Sequence, residues 1–277
     1  MRLYLQLVCC LLIATFFKST VVLAEEALTS SSCTQLTASG NSEYPPFLWQ
    51  EQPNAKTLEG VNRLIIDELS RRINIPIKLL HVGPWSRAQN EVKNGRIDLM
   101  AGAFYTTERA DYMDYFTPVM LHTTSVVWQR KDKLFDFNKK EDLIGKWGVT
   151  VINNSFGQEF DQFAQGQLNI LSVASLSQAL RMLAADRVDY VLYEKSPAYA
   201  YSVVLGLSDV IVSRQPFISS EGLYLTMSKK SPCNENDLKY RIAVALQEMR
   251  QEGFTEKALI DGEKLWEESL HAGLSLE

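Results

Sequence analysis

Two stretches of this chain repeat one plan, and the repetition limits the folds open to it. "EVKNGRIDLMAG" (91–102) and "MLAADRVDYVLYE" (182–194) each pass from the end of a helical pattern through a turn to a basic residue. A β-branched residue, an aspartate and an apolar strand follow in both. A helix feeding a short, continuously apolar strand points to a sheet with helices packed on its faces. Met twice in one chain, the plan predicts an α/β protein of two similarly designed lobes.

The rest of the chain alternates in the same way. "GVNRLIIDELSRRINI" sets Val61, Leu64, Ile65, Leu69 and Ile73 on one helical face, and "PIKLLHV" reads as the next strand. A helix is expected from about Trp85 to Asn94, then the strand "RIDLMAG". A second series starts near Gly145. "KWGVTVI" reads as a strand, 156–164 as a helix and "LNILSV" as a strand. The helix "SLSQALRMLAAD" opens on a Ser175/Gln178 capping box and leads into the strand "RVDYVLY". Residues 236–251 form an amphipathic helix with Leu238, Ile242, Leu246 and Met249 inward, ended by Gly253. Two extended stretches, 119–131 and 215–227, read as paired crossings between the lobes. The organisation expected is therefore 25–121 with 222–277 as lobe one, and 122–221, crossings included, as lobe two.

The first 24 residues differ from all that follows. Arg2 precedes an apolar core, and Val22-Leu23-Ala24 precedes two glutamates, which are the parts of a cleaved secretory signal. The apolar run ends at Lys18, short for a membrane span. Export leaves Cys33 and Cys233, and an isolated pair in an oxidising compartment is a disulfide candidate; two free thiols are the alternative. With 46% hydrophobic residues and a formal net charge of −5, the chain reads as a soluble globular protein with no surface for nucleic acid.

In open α/β sheets, ligands bind beyond the carboxyl ends of the strands. Those ends here are Gly102 and Glu194, and Arg109 stands just past the first, within "AGAFYTTERADYMDYFTPVM". A guanidinium matches a planar carboxylate with paired donors, so Arg109 suits an anionic ligand. Its acidic neighbours Glu108, Asp111 and Asp114 offer a salt bridge instead. If the lobes face each other, Arg109 and Glu194 together would receive a solute bearing both an anion and a cation. Tyr44 and Phe47 flank two prolines that stiffen their loop, and Trp85 sits at a strand-to-helix junction. Each either walls a pocket or packs beneath it. Ser155 precedes a helix and can cap it or add to an anion site there. His81, His122 and His271 lack metal-ligand spacing, and no nucleophile-elbow, zinc-protease, P-loop or dinucleotide motif is present. No cofactor, metal or catalytic role is expected.

Several pieces, in their order and spacing, resemble the periplasmic solute-binding proteins of the polar-amino-acid type, family 3. They are "YPPF" (44–47), "LEGVNRLIIDEL" (58–69), "NGRIDLMAG" (94–102), "TTERADYMDYFTP" (106–118), "LIGKWGVTVINNS" (143–155), "DRVDYVLYEKSPA" (186–198), "GLYLTMSKKSP" (222–232) and "MRQEGF" (249–254). The resemblance implies a two-lobed fold joined by two hinge strands and closing on a small carboxylated solute for an inner-membrane ABC permease. It implies a periplasmic monomer. Tyr44, Phe47 and Trp85 would wall the pocket, and the Gly102 carbonyl and Glu194 would take an ammonium. Backbone around Phe104, with Arg109 and Ser155, would hold a carboxylate. The same fold also serves sensory systems and cyclohexadienyl dehydratase-like enzymes. Phe104 stands where relatives carry threonine, Asn62 and Leu64 replace aspartates, and Asn153 replaces a glycine; these departures bear on the ligand rather than the fold.

Overall fold

The computed structural model describes residues 33–52 and 54–272. The signal segment expected at 1–24 lies outside the described residues. The chain opens with β1 (Leu36–Ser39), a small hairpin of β2 (Glu43–Tyr44) and β3 (Leu48–Trp49), α1 (Val61–Ile73), β4 (Ile77–Leu79), α2 (Trp85–Lys93) and β5 (Leu99–Ala103). A one-turn helix α3 (Thr107–Ala110), β6 (Met113–Tyr115) and the long β7 (Leu121–Arg130) come next. Then follow β8 (Trp147–Val151), α4 (Gln158–Gln167), β9 (Asn169–Val173), α5 (Leu176–Ala184), β10 (Tyr190–Glu194) and α6 (Lys195–Val204). The chain closes with β11 (Ile211–Ser213), the long β12 (Ser219–Ser228), α7 (Asn236–Gln251) and α8 (Phe254–His271).

Apart from the hairpin, the strands form one ten-stranded sheet whose main path runs β4-β1-β5-β12-β7-β10-β8-β9. At one end β4, β1 and β5 are parallel; at the other β10, β8 and β9 are parallel. Between them run β7 and β12, antiparallel to each other and to their outer neighbours. Both change partners along their length. β12 pairs with β7 through Ser219–Leu223 and with β5 from Tyr224 onward, with a register irregularity between Tyr224 and Leu225. β7 pairs with β12 at Leu121–Ser125 and with β10 from Ser125 to Trp128. The stretches read from sequence as paired crossings are these two strands.

The helices form where the apolar spacing demands it. α1 buries Val61, Ile65, Ile66, Leu69 and Ile73, and ends at Asn74 in the left-handed conformation (φ 51°). Leu64, expected on the inward face, is only partly buried there. Arg72 near its end pairs with Glu68, with Glu248 of α7 and with Glu252 just past it, tying the two helices together. β5 and β10 are buried along their whole length, as continuous apolar runs require.

The repeated plan has a physical basis. Asp98, just before β5, accepts from the Thr37 N–H of parallel β1 (2.8 Å), the Thr37 hydroxyl (2.8 Å) and Ser231 (2.6 Å). Asp189, just before β10, accepts from the Trp147 N–H of parallel β8 at 2.8 Å. In both places an aspartate at the strand's start satisfies a backbone donor at the start of the neighbouring parallel strand, where the ladder offers no partner.

Three details differ from the sequence reading. α4 starts at Gln158 rather than 156, because the Phe156 N–H is bound by the Asp161 side chain instead of entering the helix. Ser175 caps α5 through the Gln178 N–H (3.1 Å), but Gln178 reaches back to Ala174 N–H (3.3 Å), so the reciprocal half of the box is displaced by one residue. Gly253, with φ 71°, separates α7 from the 18-residue α8, which no sequence pattern singled out. Cys33 and Cys233 are joined by a disulfide with Cα atoms 5.2 Å apart, pinning the strand-side N-terminus to the loop before α7.

Candidate functional site

The carboxyl ends of β5 and β10 face a shared cleft, and the residues expected there converge on it. Gly102 in β5 has φ 107°, and a side chain on it would meet Asn62 Nδ2 at 2.9 Å. Asn62, on the first turn of α1, donates across this gap to the Ala101 carbonyl at 2.7 Å. The glycine therefore lets α1 approach the strand end closely enough for that bond.

Past β5 the chain turns at Phe104, and the Thr106 hydroxyl caps α3 by accepting from the Arg109 N–H (3.1 Å). The cap directs Arg109 inward, leaving it only 5% exposed. None of its acidic neighbours pairs with it: Asp114 instead meets Lys239 at 3.2 Å and Asn234 at 3.1 Å. The guanidinium lies over the Trp85 ring, 5.4 Å from its centroid, and donates to two backbone carbonyls. One is Phe104 (3.1 Å); the other is Asn153 (2.9 Å), which belongs to the loop after β8 on the opposite half of the sheet. Trp85 Nε1 and Gln89 Nε2 donate to that same Asn153 carbonyl, each at 3.2 Å. Asn153 has φ 61°, a left-handed conformation that asparagine tolerates.

On the facing side, Glu194 is the last residue of β10 and is 1% exposed. Burial pushes its carboxyl up from 4.5 to about 7, an effect opposed by its own backbone N–H, the Asn154 amide, the Tyr44 hydroxyl and the Arg109 charge. The amide and the hydroxyl lie close enough to favour the ionised form without reaching hydrogen-bond geometry. Glu194 Oε2, Tyr44 Oη and Asn154 Nδ2 are all buried with no partner, as is Asn62 Oδ1. These four atoms surround one cavity of about 20 Å³ that Trp85, Gly102, Phe104 and Arg109 also line. That is room for about one water molecule. Buried polar atoms are normally paired, so such a concentration marks a place where the fold leaves hydrogen-bonding capacity open.

Phe47 stands behind this wall. It is buried against Tyr44, with ring centroids 5.3 Å apart, and supports the tyrosine from outside the cavity. Ser155 is buried too, but its hydroxyl donates in a short hydrogen bond to Asp161 Oδ2, while Asp161 Oδ1 accepts from the Phe156 N–H at 2.8 Å. Asp161 thus folds its carboxylate back over the start of α4, where the helix exposes unpaired N–H groups. A larger, more polar cavity of about 240 Å³ lies beyond Arg109, lined by Gln89, Lys93, Asn154, Ser155, Gln158 and Asp161 among others.

Other hydrogen bonds join the two halves around the cleft. Asn41 Nδ2 donates to the Tyr193 hydroxyl (2.9 Å), Glu43 accepts from the Leu176 N–H at the start of α5 (2.8 Å), and Gln158 accepts from Thr107 N–H (3.0 Å). Sequence reasoning missed Asn41, Asn62, Gln89, Asn154 and Asp161. Of these only Asn62 carried a signal, as a departure from the family pattern.

A two-part sheet crossed by two shared strands, with polar groups gathered at the facing strand ends, defines a solute-binding architecture. The family model for bacterial extracellular solute-binding proteins, family 3, matches residues 36–259, and the chain belongs to that family. Among solved structures it is similar to a histidine kinase sensor domain with similarity to periplasmic binding proteins (19% identity, 83% of this chain and 96% of that chain, TM-score 0.70). It is similar also to AbpA, an amino acid ABC transporter substrate-binding protein from Streptococcus pneumoniae bound to L-arginine (17% identity, 84% and 96% covered, TM-score 0.68). A third is an ancestral amino acid-binding protein described as a precursor of cyclohexadienyl dehydratase (16% identity, 82% and 94% covered, TM-score 0.64). At these identities the likeness is one of fold. Compared with curated protein sequences, the chain matches none. No helix among the described residues is long and apolar enough to cross a membrane.

Proposed function

We propose that this chain is a periplasmic receptor that captures a small amine-bearing solute of the amino-acid kind by closing its two halves around it. The observation that carries this reading is Glu194: a buried carboxylate with an open oxygen, beside Tyr44 Oη and Asn62 Oδ1 that likewise lack partners. An ammonium supplies the donors these atoms need and the positive charge that offsets the cost of ionising Glu194 in a buried site. Trp85, Tyr44 and the Gly102–Phe104 backbone form the wall against which the solute rests. Arg109, whose bonds to Phe104 and Asn153 leave further N–H donors free, lines the same cavity and is placed to take an anionic group on the solute. The solute bridges both halves only in the closed form, so its contacts favour that state. An inner-membrane ABC permease then recognises it, a reading supported by the likeness to an amino acid ABC transporter substrate-binding protein.

The test is a melting-shift screen of the mature protein over amino acids, opines, polyamines and small organic acids, because a ligand bound only to the folded state raises Tm by mass action. One amine-bearing compound should raise Tm, and Glu194→Gln should abolish the shift. A shift that survives Glu194→Gln would sink this reading. The likeness to a kinase sensor domain supports a second reading, in which the closed form engages a membrane sensor; capture from membrane extracts with the liganded protein separates permease from kinase. An enzymatic reading draws on Glu194 remaining partly protonated at neutral pH, as a general acid requires. Turnover of prephenate-like compounds, lost in Glu194→Gln, would favour it.

A further inference from the structure

The cleft holds two groups of hydrogen-bond donors suited to a carboxylate, and the protein's own oxygens engage donors of both. The Nη donors of Arg109 go to the carbonyls of Phe104 and Asn153. At the start of α4, the Ser155 hydroxyl and Phe156 N–H go to the two oxygens of Asp161. A second carboxylate packs against the same turn: Glu221 lies against Gly157, and its pKa is raised by burial and then by the charge of Asp161. A solute carboxylate arriving here would have to displace the half-buried Asp161 and then sit beside it, and neighbouring like charges disfavour one another.

What remains open is different in kind. Glu194 Oε2 and Asn62 Oδ1 accept only, Tyr44 Oη can do either, and Asn154 Nδ2 donates only. Glu194 Oε2 and Asn62 Oδ1 require donated hydrogens, which an amine head supplies and a carboxylate lacks. The cavity they share, about 20 Å³, admits such a head and little more.

We propose that Asp161 is the specificity-determining residue of the cleft: as an internal carboxylate on the α4 anion position, it makes the protein select a compact primary amine over the α-amino acid that carries the same side chain. This rests on the reading of Glu194 as the ammonium partner and narrows it. The ligand class is an aliphatic mono- or diamine, with its head on Glu194 and Asn62.

The test uses pairs that differ only by the carboxylate, measured by titration calorimetry: agmatine with L-arginine, cadaverine with L-lysine, putrescine with L-ornithine. The mature wild-type protein should bind the amine of at least one pair ten-fold or more tightly than its amino acid. Asp161→Ala should shift that ratio at least ten-fold toward the amino acid. Asp161→Asn, which keeps an acceptor for Phe156 N–H, should move it the same way and serves should the alanine variant fail to fold. Equal or tighter amino-acid binding by the wild type overturns the proposal. So does a ratio unmoved in both variants, and so does a wild type that takes neither member of any pair. Glu194→Gln separates this from the broader reading: amine binding that persists in it removes the Glu194 assignment, while the Asp161 ratio is judged on its own.

Discussion

Arg109 Nη2 and the carbonyl of Asn153 lie 2.9 Å apart, although the two residues belong to opposite halves of the sheet. Trp85 and Gln89 donate to the same oxygen, so one backbone atom ties the two halves together across the cleft. A charged-group hydrogen bond of this kind is worth roughly 1.5–3 kcal/mol. Arg109→Ala should therefore shift the ligand-free protein toward a more open form. Small-angle scattering should read a larger radius of gyration than in the wild type; an unchanged radius would show that the remaining cross-cleft bonds suffice.

The pH dependence of stability follows from Glu194. Its folded-state pKa, about 7, lies above its ordinary value of 4.5. A raised folded value means that the native state holds the proton more tightly. The stability this contributes is full below about pH 4.5 and is lost as pH climbs through 7. The loss is at most about 3 kcal/mol. Glu194→Gln should gain on the wild type between pH 5 and pH 8 in urea unfolding. A constant difference between the two proteins would mean that the buried carboxyl titrates normally.

Solute binding should show the opposite trend. An ammonium pairs with the ionised carboxylate, so below pH 7 binding releases a proton from Glu194. Affinity should rise about ten-fold per pH unit toward 7 and level above it, as titration calorimetry in buffers of different ionisation enthalpy would reveal.

Gly102→Ala tests the close approach of α1. The new side chain would need φ near 107° and would meet Asn62 Nδ2 at 2.9 Å. A loss of about 1–3 kcal/mol is expected, with weakened solute binding because Asn62 is pushed off the cavity. Retention of full affinity would separate Asn62 from the site.

The disulfide closes a loop of 200 residues between Cys33 and Cys233. Loop-closure entropy sets an upper value of roughly 5 kcal/mol for such a crosslink. Cys33→Ser with Cys233→Ser should lower Tm by several degrees or more while leaving solute affinity nearly unchanged, since the bridge lies outside the cavity lining.

The frame of this molecule was legible in its residues because strand ends and helix faces leave local traces. Asp98 and Asp189 repeat since each meets the same need at the start of a parallel strand, and Gly102 and Glu194 follow from counting along β5 and β10. The partners inside the cleft left no such trace. That Ser155 turns to Asp161, or that the Asn153 carbonyl gathers three donors, depends on how segments distant in sequence approach one another. α6 and α8 escaped for a related reason: α6 is apolar and small-residued without a polar stripe, and α8 turns mostly small or polar residues inward, Thr255, Ala258 and Gly262 beside Trp266, so neither carries a clear apolar period.

β7 and β12 are paired to each other at Leu121–Ser125 and Ser219–Leu223, and each then continues into a different half. Two hydrogen-bonded rails cannot twist or slide independently, so any relative motion reduces to bending about a line across both. If the halves close on a solute as proposed, a membrane partner that sensed their relative tilt would register the solute without touching it.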